Sequence, residues 1–272
     1  MRKIMLAAAL WAAFAAPALA AQCEPPGGFP AFIAAVHREA AAQGIGARGL
    51  AALDSLTLDR SVIARDRHQG VFRQSFEQFS GRMISRDRMV RGERYLHSMA
   101  STFGRIEQRY GVPPGVLVAI WAMETDFGVN QGHFSVLRSV ATLAYDCRRS
   151  QKFQEELLAG IQIVDRGMLS PAQLQGDWAG EIGQTQFLPS SLLKYGVDFD
   201  GNGRIDLAHS AADALASTAN YLKGHGWQHG AGWQPGQPNF DVIKTWNKAD
   251  VYARTIALFG ERLEERRGAG AR

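Results

Sequence analysis

This 272-residue chain has few cysteines and little excess charge. Its two cysteines, Cys23 and Cys147, cannot by themselves make a structural zinc site, which takes four ligands. The formal net charge is only +4, and removing Arg2 and Lys3 would leave +2. That balance excludes the dense basic face of a dedicated nucleic-acid binder. An anionic polymer substrate is permitted but not demanded. Beyond the N-terminus no stretch is long and apolar enough to span a bilayer. There is no internal repeat and no low-complexity linker.

What is present begins with an export signal. Arg2 and Lys3 form a positive n-region, and Ile4 to Ala16 an apolar h-region too short to cross a membrane comfortably. Pro17-Ala18-Leu19-Ala20 ends in a small-x-small site, so cleavage is expected after Ala20. Gln22 precedes Cys23, which argues against a lipid anchor. The mature chain is expected to be soluble and periplasmic. In an oxidising compartment Cys23 and Cys147 are expected to pair, tying its start to its middle.

The rest reads as mainly α. Apolar spacing predicts helices over 29–43, 47–53, 136–143, 151–165, 190–195, 211–225 and 249–267. Residues 56–67 read as extended, and Ser85 as the cap of one long helix to Tyr110. Phe72, Phe76 and Phe79 form a core stripe, and Ser170-Pro171 marks a helix start. Residues 177–189 and 230–239 read as loops, and 268–272 as a frayed tail.

One residue stands out. The uncharged run Val112 to Met123 ends in Glu124. A helix starting near Pro113–Pro114 puts Leu117, Ile120, Trp121 and Phe127 on the side of Glu124. A carboxylate among apolar neighbours loses solvation, so its pKa rises and it can serve as a general acid. The alternative is a buried glutamate paired with an arginine. Asp126 is no partner for Glu124, because i and i+2 do not share a helix face.

Three signatures follow one another: Met123-Glu124-Thr125-x-x-Gly128, Gly183-Gln-Thr-Gln186-Phe-Leu-Pro-Ser-Ser191 and Ala219-Asn-Tyr221-Leu-Lys-Gly-His-Gly-Trp227. Ala141-Thr-Leu-Ala-Tyr145 and Trp246-Asn-x-x-x-Val-Tyr252 accompany them. Together they resemble the lytic murein transglycosylases of the membrane-bound lytic transglycosylase B type, from about Phe29 to Leu263. The resemblance implies a lysozyme-like, goose-type-like helical domain over 21–267, with its core at about 100–230. It implies cleavage of the MurNAc–GlcNAc β-1,4 bond of peptidoglycan, leaving a 1,6-anhydro end, with no catalytic cofactor. Glu124 would be the sole acid/base, and Gln186, Tyr221, Tyr252 and Trp246 would line the glycan cleft. Trp246 stands where relatives carry a tyrosine, keeping the aromatic face without the hydroxyl. Trp227 reads as core.

Most glycosidases flank the scissile bond with two carboxylates. One suffices if the substrate's own acetamido group stabilises the sugar cation and its C6 hydroxyl takes the place of water. Asp177 and Glu181, in the 177–189 loop, would permit hydrolysis if either approached. Relatives carry a small residue at the second of these positions, and Glu181 reads as a solvated loop charge. Two alternatives stay open: a muramidase hydrolysing the same bond, and a non-catalytic peptidoglycan-binding protein.

Asp198-Phe-Asp200-Gly-Asn202-Gly203-Arg204-Ile-Asp206 begins like an EF-hand loop. Position 12 is His209 rather than glutamate, and Asp213 from the next helix could substitute. The expected ligands of a structural Ca2+ or Na+ are Asp198, Asp200, Asn202, Arg204 and Asp213. A monomer acting on peptidoglycan strands is expected.

Overall fold

The structure, a computed structural model, describes residues 20–68 and 74–270. The expected signal peptide, Ala20 apart, and Phe72 lie outside these. Thirteen helices are present among the described residues: α1 Gly28–Ala42, α2 Ala47–Asp54, α3 Arg60–Arg67, α4 Phe76–Met83, α5 Arg86–Ser98, α6 Ala100–Tyr110, α7 Pro114–Thr125, α8 Val136–Tyr145, α9 Ser150–Asp165, α10 Pro189–Tyr195, α11 Ala211–Gly224, α12 Phe240–Trp246 and α13 Asp250–Gly270. The strands β1 (Phe134–Ser135) and β2 (Gln175–Gly176) pair antiparallel.

The sequence of α7 decides its place. Pro114 occupies its first turn, where a missing N–H is harmless. From Pro114 to Met123 it has no polar face, and every one of those residues is buried. α13 lies along it at close range. A Cβ on Gly115 would stand 2.6 Å from the Gly260 carbonyl oxygen, so the two helices meet backbone to backbone. The Gly115 N–H donates to Glu264 Oε1 at 2.6 Å, satisfying one of the free donors at the α7 N-terminus.

Side chains from α4 to α7 and from α11 to α13 build one core around Ile106, Leu117, Ile120 and Phe259. Side chains from α1 to α3 and from α8 to α10 build a second around Phe32, Val140, Phe153 and Leu157. Tyr221 on α11 and Trp246 on α12 pack against both cores. The expected disulfide is formed between Cys23 and Cys147, with Cα atoms 5.2 Å apart.

Several expectations are corrected. Residues 60–67 are helical, not extended, because the Asp59 carboxylate caps the Ser61 N–H at 3.0 Å. The long helix from Ser85 breaks at Met99, between buried Leu96 and Phe103. Ser85 does cap its first part, accepting from Arg88 N–H. Ser170 opens a turn rather than a helix: Gln173 and Leu174 both donate to its carbonyl, and the chain then leaves to pair β2 with β1. The tail is helical to Gly270, held by Arg267 ion pairs to Glu264 and Glu107 at 2.7 and 3.3 Å. Short α12 and the strand pair carry too few residues to show a period, and sequence patterning missed them.

Candidate active site

Glu124 lies in the last turn of α7. It lines a cavity of about 620 Å³ together with Glu181, Gln186, Tyr221, Trp246 and Tyr252. A larger cavity of about 810 Å³, edged by His133 and His209, contains none of the expected cleft residues. The smaller one is therefore the candidate active site.

The chain reverses direction just past the acid. Asp126 and Phe127 adopt left-handed backbone conformations, with φ of 54° and 64°. Arg91 and Arg88 bond the Asp126 carboxylate at 2.9 and 3.1 Å, and Arg91 also lies 4.6 Å from the centre of the Phe127 ring. The Thr125 hydroxyl donates to the Gln184 carbonyl at 2.5 Å, fixing the helix end to the glutamine-rich loop. The arginines of this region thus go to Asp126, and no ion pair to Glu124 forms among the described residues. The arginine-paired reading of Glu124 falls.

Two donors converge on one oxygen of Glu124. Trp246 Nε1 and the Tyr252 hydroxyl each donate to Oε1 at 2.8 Å. Trp246 thus offers the acid an indole N–H as well as a ring face. An oxygen that accepts two hydrogen bonds is a poor place for a proton, so the acid proton belongs on Oε2. Burial raises the Glu124 pKa to about 7; the hydrogen bonds from Trp246 and Tyr252 pull it down, and the Asp177 charge pushes it up. Burial and the neighbouring Glu124 charge push the Tyr252 phenol well up, so it stays a donor.

The other expected cleft residues assemble as well. Gln186 has φ of 57°, and its amide nitrogen donates to the Gly183 carbonyl at 2.8 Å. The Tyr221 hydroxyl donates to the Thr245 carbonyl at 2.9 Å, and its ring stands edge-on to Trp246 with centroids 5.0 Å apart. Trp227 is core, its indole N–H bound to the Gly111 carbonyl at 2.9 Å. Glu181 is not a solvated loop charge. It lines the same cavity, and burial first, then the Asp177 and Glu124 charges, raise its pKa to about 8. Its side-chain direction depends on the turn that carries it, which residue spacing does not report.

Of the cation-loop residues, Asp198, Asp200 and Asp213 each bring a carboxylate oxygen within 4.8 Å of the others. Asp213 is fully buried, and it accepts from the backbone N–H groups of Phe199, Asp200 and Asp206 at 2.8 to 3.2 Å. The Asn202 side-chain oxygen accepts from Arg204 N–H at 3.0 Å.

Fold and site define a helical lysozyme-like domain with a half-buried, hydrogen-bonded carboxylic acid in an aromatic cleft. The chain belongs to the transglycosylase SLT domain family, whose model matches residues 28–237. It is 35% identical over 170 residues to membrane-bound lytic murein transglycosylase B of Escherichia coli (strain K12), covering 60% of this chain and 47% of that protein. The chain thus spans about half the length of that curated relative. SltB3 from Pseudomonas aeruginosa, solved in complex with NAG-NAM-pentapeptide, superposes with a TM-score of 0.80 at 30% identity over 87% of this chain and 79% of that one. The Escherichia coli lytic transglycosylase SLT35 in complex with calcium superposes with a TM-score of 0.73 at 26% identity, covering 88% and 93%. Among the described residues no helix is long and apolar enough to cross a membrane.

Proposed function

We propose that this protein is a periplasmic lytic transglycosylase that cleaves the MurNAc–GlcNAc β-1,4 bond of peptidoglycan without adding water. The observation that carries this reading is Glu124, protonated near neutral pH and hydrogen-bonded on Oε1 alone. SltB3, solved with a peptidoglycan fragment, supports the substrate class.

Oε2 gives its proton to the leaving glycosidic oxygen as the C1–O bond breaks. The acetamido oxygen of the same sugar shares the charge at C1. Glu124, now a carboxylate, takes the proton of the C6 hydroxyl as that oxygen bonds C1. One proton leaves and one returns, so a single residue serves as acid and then base. Trp246 and Tyr252 stabilise the intervening carboxylate. Gln186 and Tyr221 offer an amide and a ring face to the sugar.

Digestion of purified peptidoglycan tests this. Mass spectrometry should find products lighter by one water than the hydrolytic species. Glu124→Gln should lose at least about a thousandfold in rate, the acid and the base step failing together. Persistence of cleavage in folded Glu124→Gln would sink the assignment.

Asp198, Asp200 and Asp213 fit a structural cation, with Asn202 and the Arg204 carbonyl at the matching loop positions, and the calcium-bound SLT35 supports that role. A cation bound only by the folded chain raises Tm by mass action, about 2.7 kcal/mol at a hundred times Kd. Calcium should therefore raise Tm of the wild type and leave Asp200→Ala unmoved.

A further inference from the structure

The cavity holds a second carboxyl whose surroundings have no structural use for it. Residues 176–187 form a tight turn. Asp177 N–H donates to the Glu181 carbonyl at 2.9 Å, and Asp177 Oδ1 accepts from Ala179 and Glu181 N–H at 2.7 and 3.3 Å. Ile182 and Phe187 exchange both backbone hydrogen bonds at 2.7 and 2.9 Å. A Cβ at position 176 would lie 1.9 Å from the Glu181 carbonyl oxygen, so only glycine allows the turn to close this tightly.

Glu181 enters those contacts only through its backbone, and none of them uses its carboxyl. Among the described residues that carboxyl makes no hydrogen bond and no ion pair, although it is held inside the cavity with Glu124. The residue is half-buried there, and drawing a carboxyl away from water without a partner is costly. Positions that break the rules of burial in this way are expected where function requires it.

We propose that Glu181 is a second catalytic group that delivers water to C1, giving this enzyme a hydrolytic branch beside the anhydro-forming one. The inference rests on the transglycosylase reading of the same site. Both branches begin when Glu124 protonates the leaving oxygen and the C1–O bond breaks. In the hydrolytic branch the oxygen of a water bonds C1, and the Glu181 carboxylate takes one of its protons. The other stays as the new anomeric hydroxyl. The sum is addition of one water, with Glu124 left ionised and Glu181 protonated; exchange with solvent restores both.

The charges around Glu181 set when it can act. Asp177 and Glu124 face it and favour its neutral form, Lys152 and Arg149 at the rim oppose them, and burial dominates, holding it neutral to about pH 8. Its ionised fraction then grows about tenfold for each pH unit below that value. Hydrated ends should take a rising share as pH climbs, even as Glu124 loses its proton and total turnover falls.

The test is digestion of peptidoglycan in 18O-labelled water by the mature wild type, Glu181→Gln and Glu181→Ala, at pH 6, 7 and 8. Mass spectrometry reads the ratio of labelled reducing ends to anhydro ends. The expected result is a wild-type ratio rising about tenfold from pH 6 to 7, and falling at least about tenfold in both variants. Anhydro ends alone from the wild type at every pH overturn the branch and leave the transglycosylase reading standing. A ratio unchanged in the variants overturns the role of Glu181. So does parallel loss of both products in folded Glu181→Gln, since that marks a group needed before C1 is committed. Absence of any cleavage by the wild type overturns both readings.

Discussion

Two donors on one oxygen make Glu124 a directional acid. With Oε1 occupied by Trp246 and Tyr252, the proton is delivered from Oε2. Both donors favour the ionised form and so hold the pKa down against burial. Tyr252→Phe removes one of them. The alkaline limb of the kcat/KM profile, set near pH 7 by loss of the Glu124 proton, should move upward in that variant, on the order of one unit. A limb that stayed or moved down would show that the hydroxyl does not tune the acid. The apolar surroundings of this residue were legible in the sequence because an uncharged run closes on it, although the run alone left an arginine partner open. Glu181 was not, because its exposure depends on a turn whose closure rests on the lack of a side chain at position 176. The indole N–H that reaches Glu124 was illegible for another reason: a tryptophan reads from sequence as a ring face, not as a donor.

At the scale of elements, α7 and α13 carry the acid and its tyrosine and meet through paired glycines. Gly115→Ala would drive a methyl against the Gly260 carbonyl and should destabilise by about 1–3 kcal/mol. Gly104→Ala on α6, where a Cβ meets nothing within 4 Å, should stabilise by up to about 1 kcal/mol from helix propensity alone. Thermal unfolding of both variants separates close packing from propensity; equal shifts would refute the distinction. Most helices could be read from apolar spacing, since each buries one stripe. The break at Met99 could not, because the apolar stripe runs on through it and Leu96 and Phe103 remain buried on either side.

The whole molecule is two cores joined along a seam that Tyr221 and Trp246 close from both sides. The Cys23–Cys147 bridge closes a loop across 124 positions of sequence. A loop of that size gives a disulfide worth about 3–5 kcal/mol. Cys23→Ala with Cys147→Ala should lower stability by that amount, measured by denaturant unfolding, and an unchanged midpoint would show the bridge to be idle. The pairing was legible from two cysteines and an N-terminal stretch that reads as an export signal; the seam was not, since it joins residues far apart in the chain. Glu124 grows from the first core, while Glu181 and Gln186 flank Ile182 and Phe187, which belong to the second. The proposed acid and the residues proposed to face its intermediate thus have separate foundations. On the proposed mechanism, residues on one bank of the cleft can be exchanged to change the fate of the intermediate while the helix that carries the acid stays as it is.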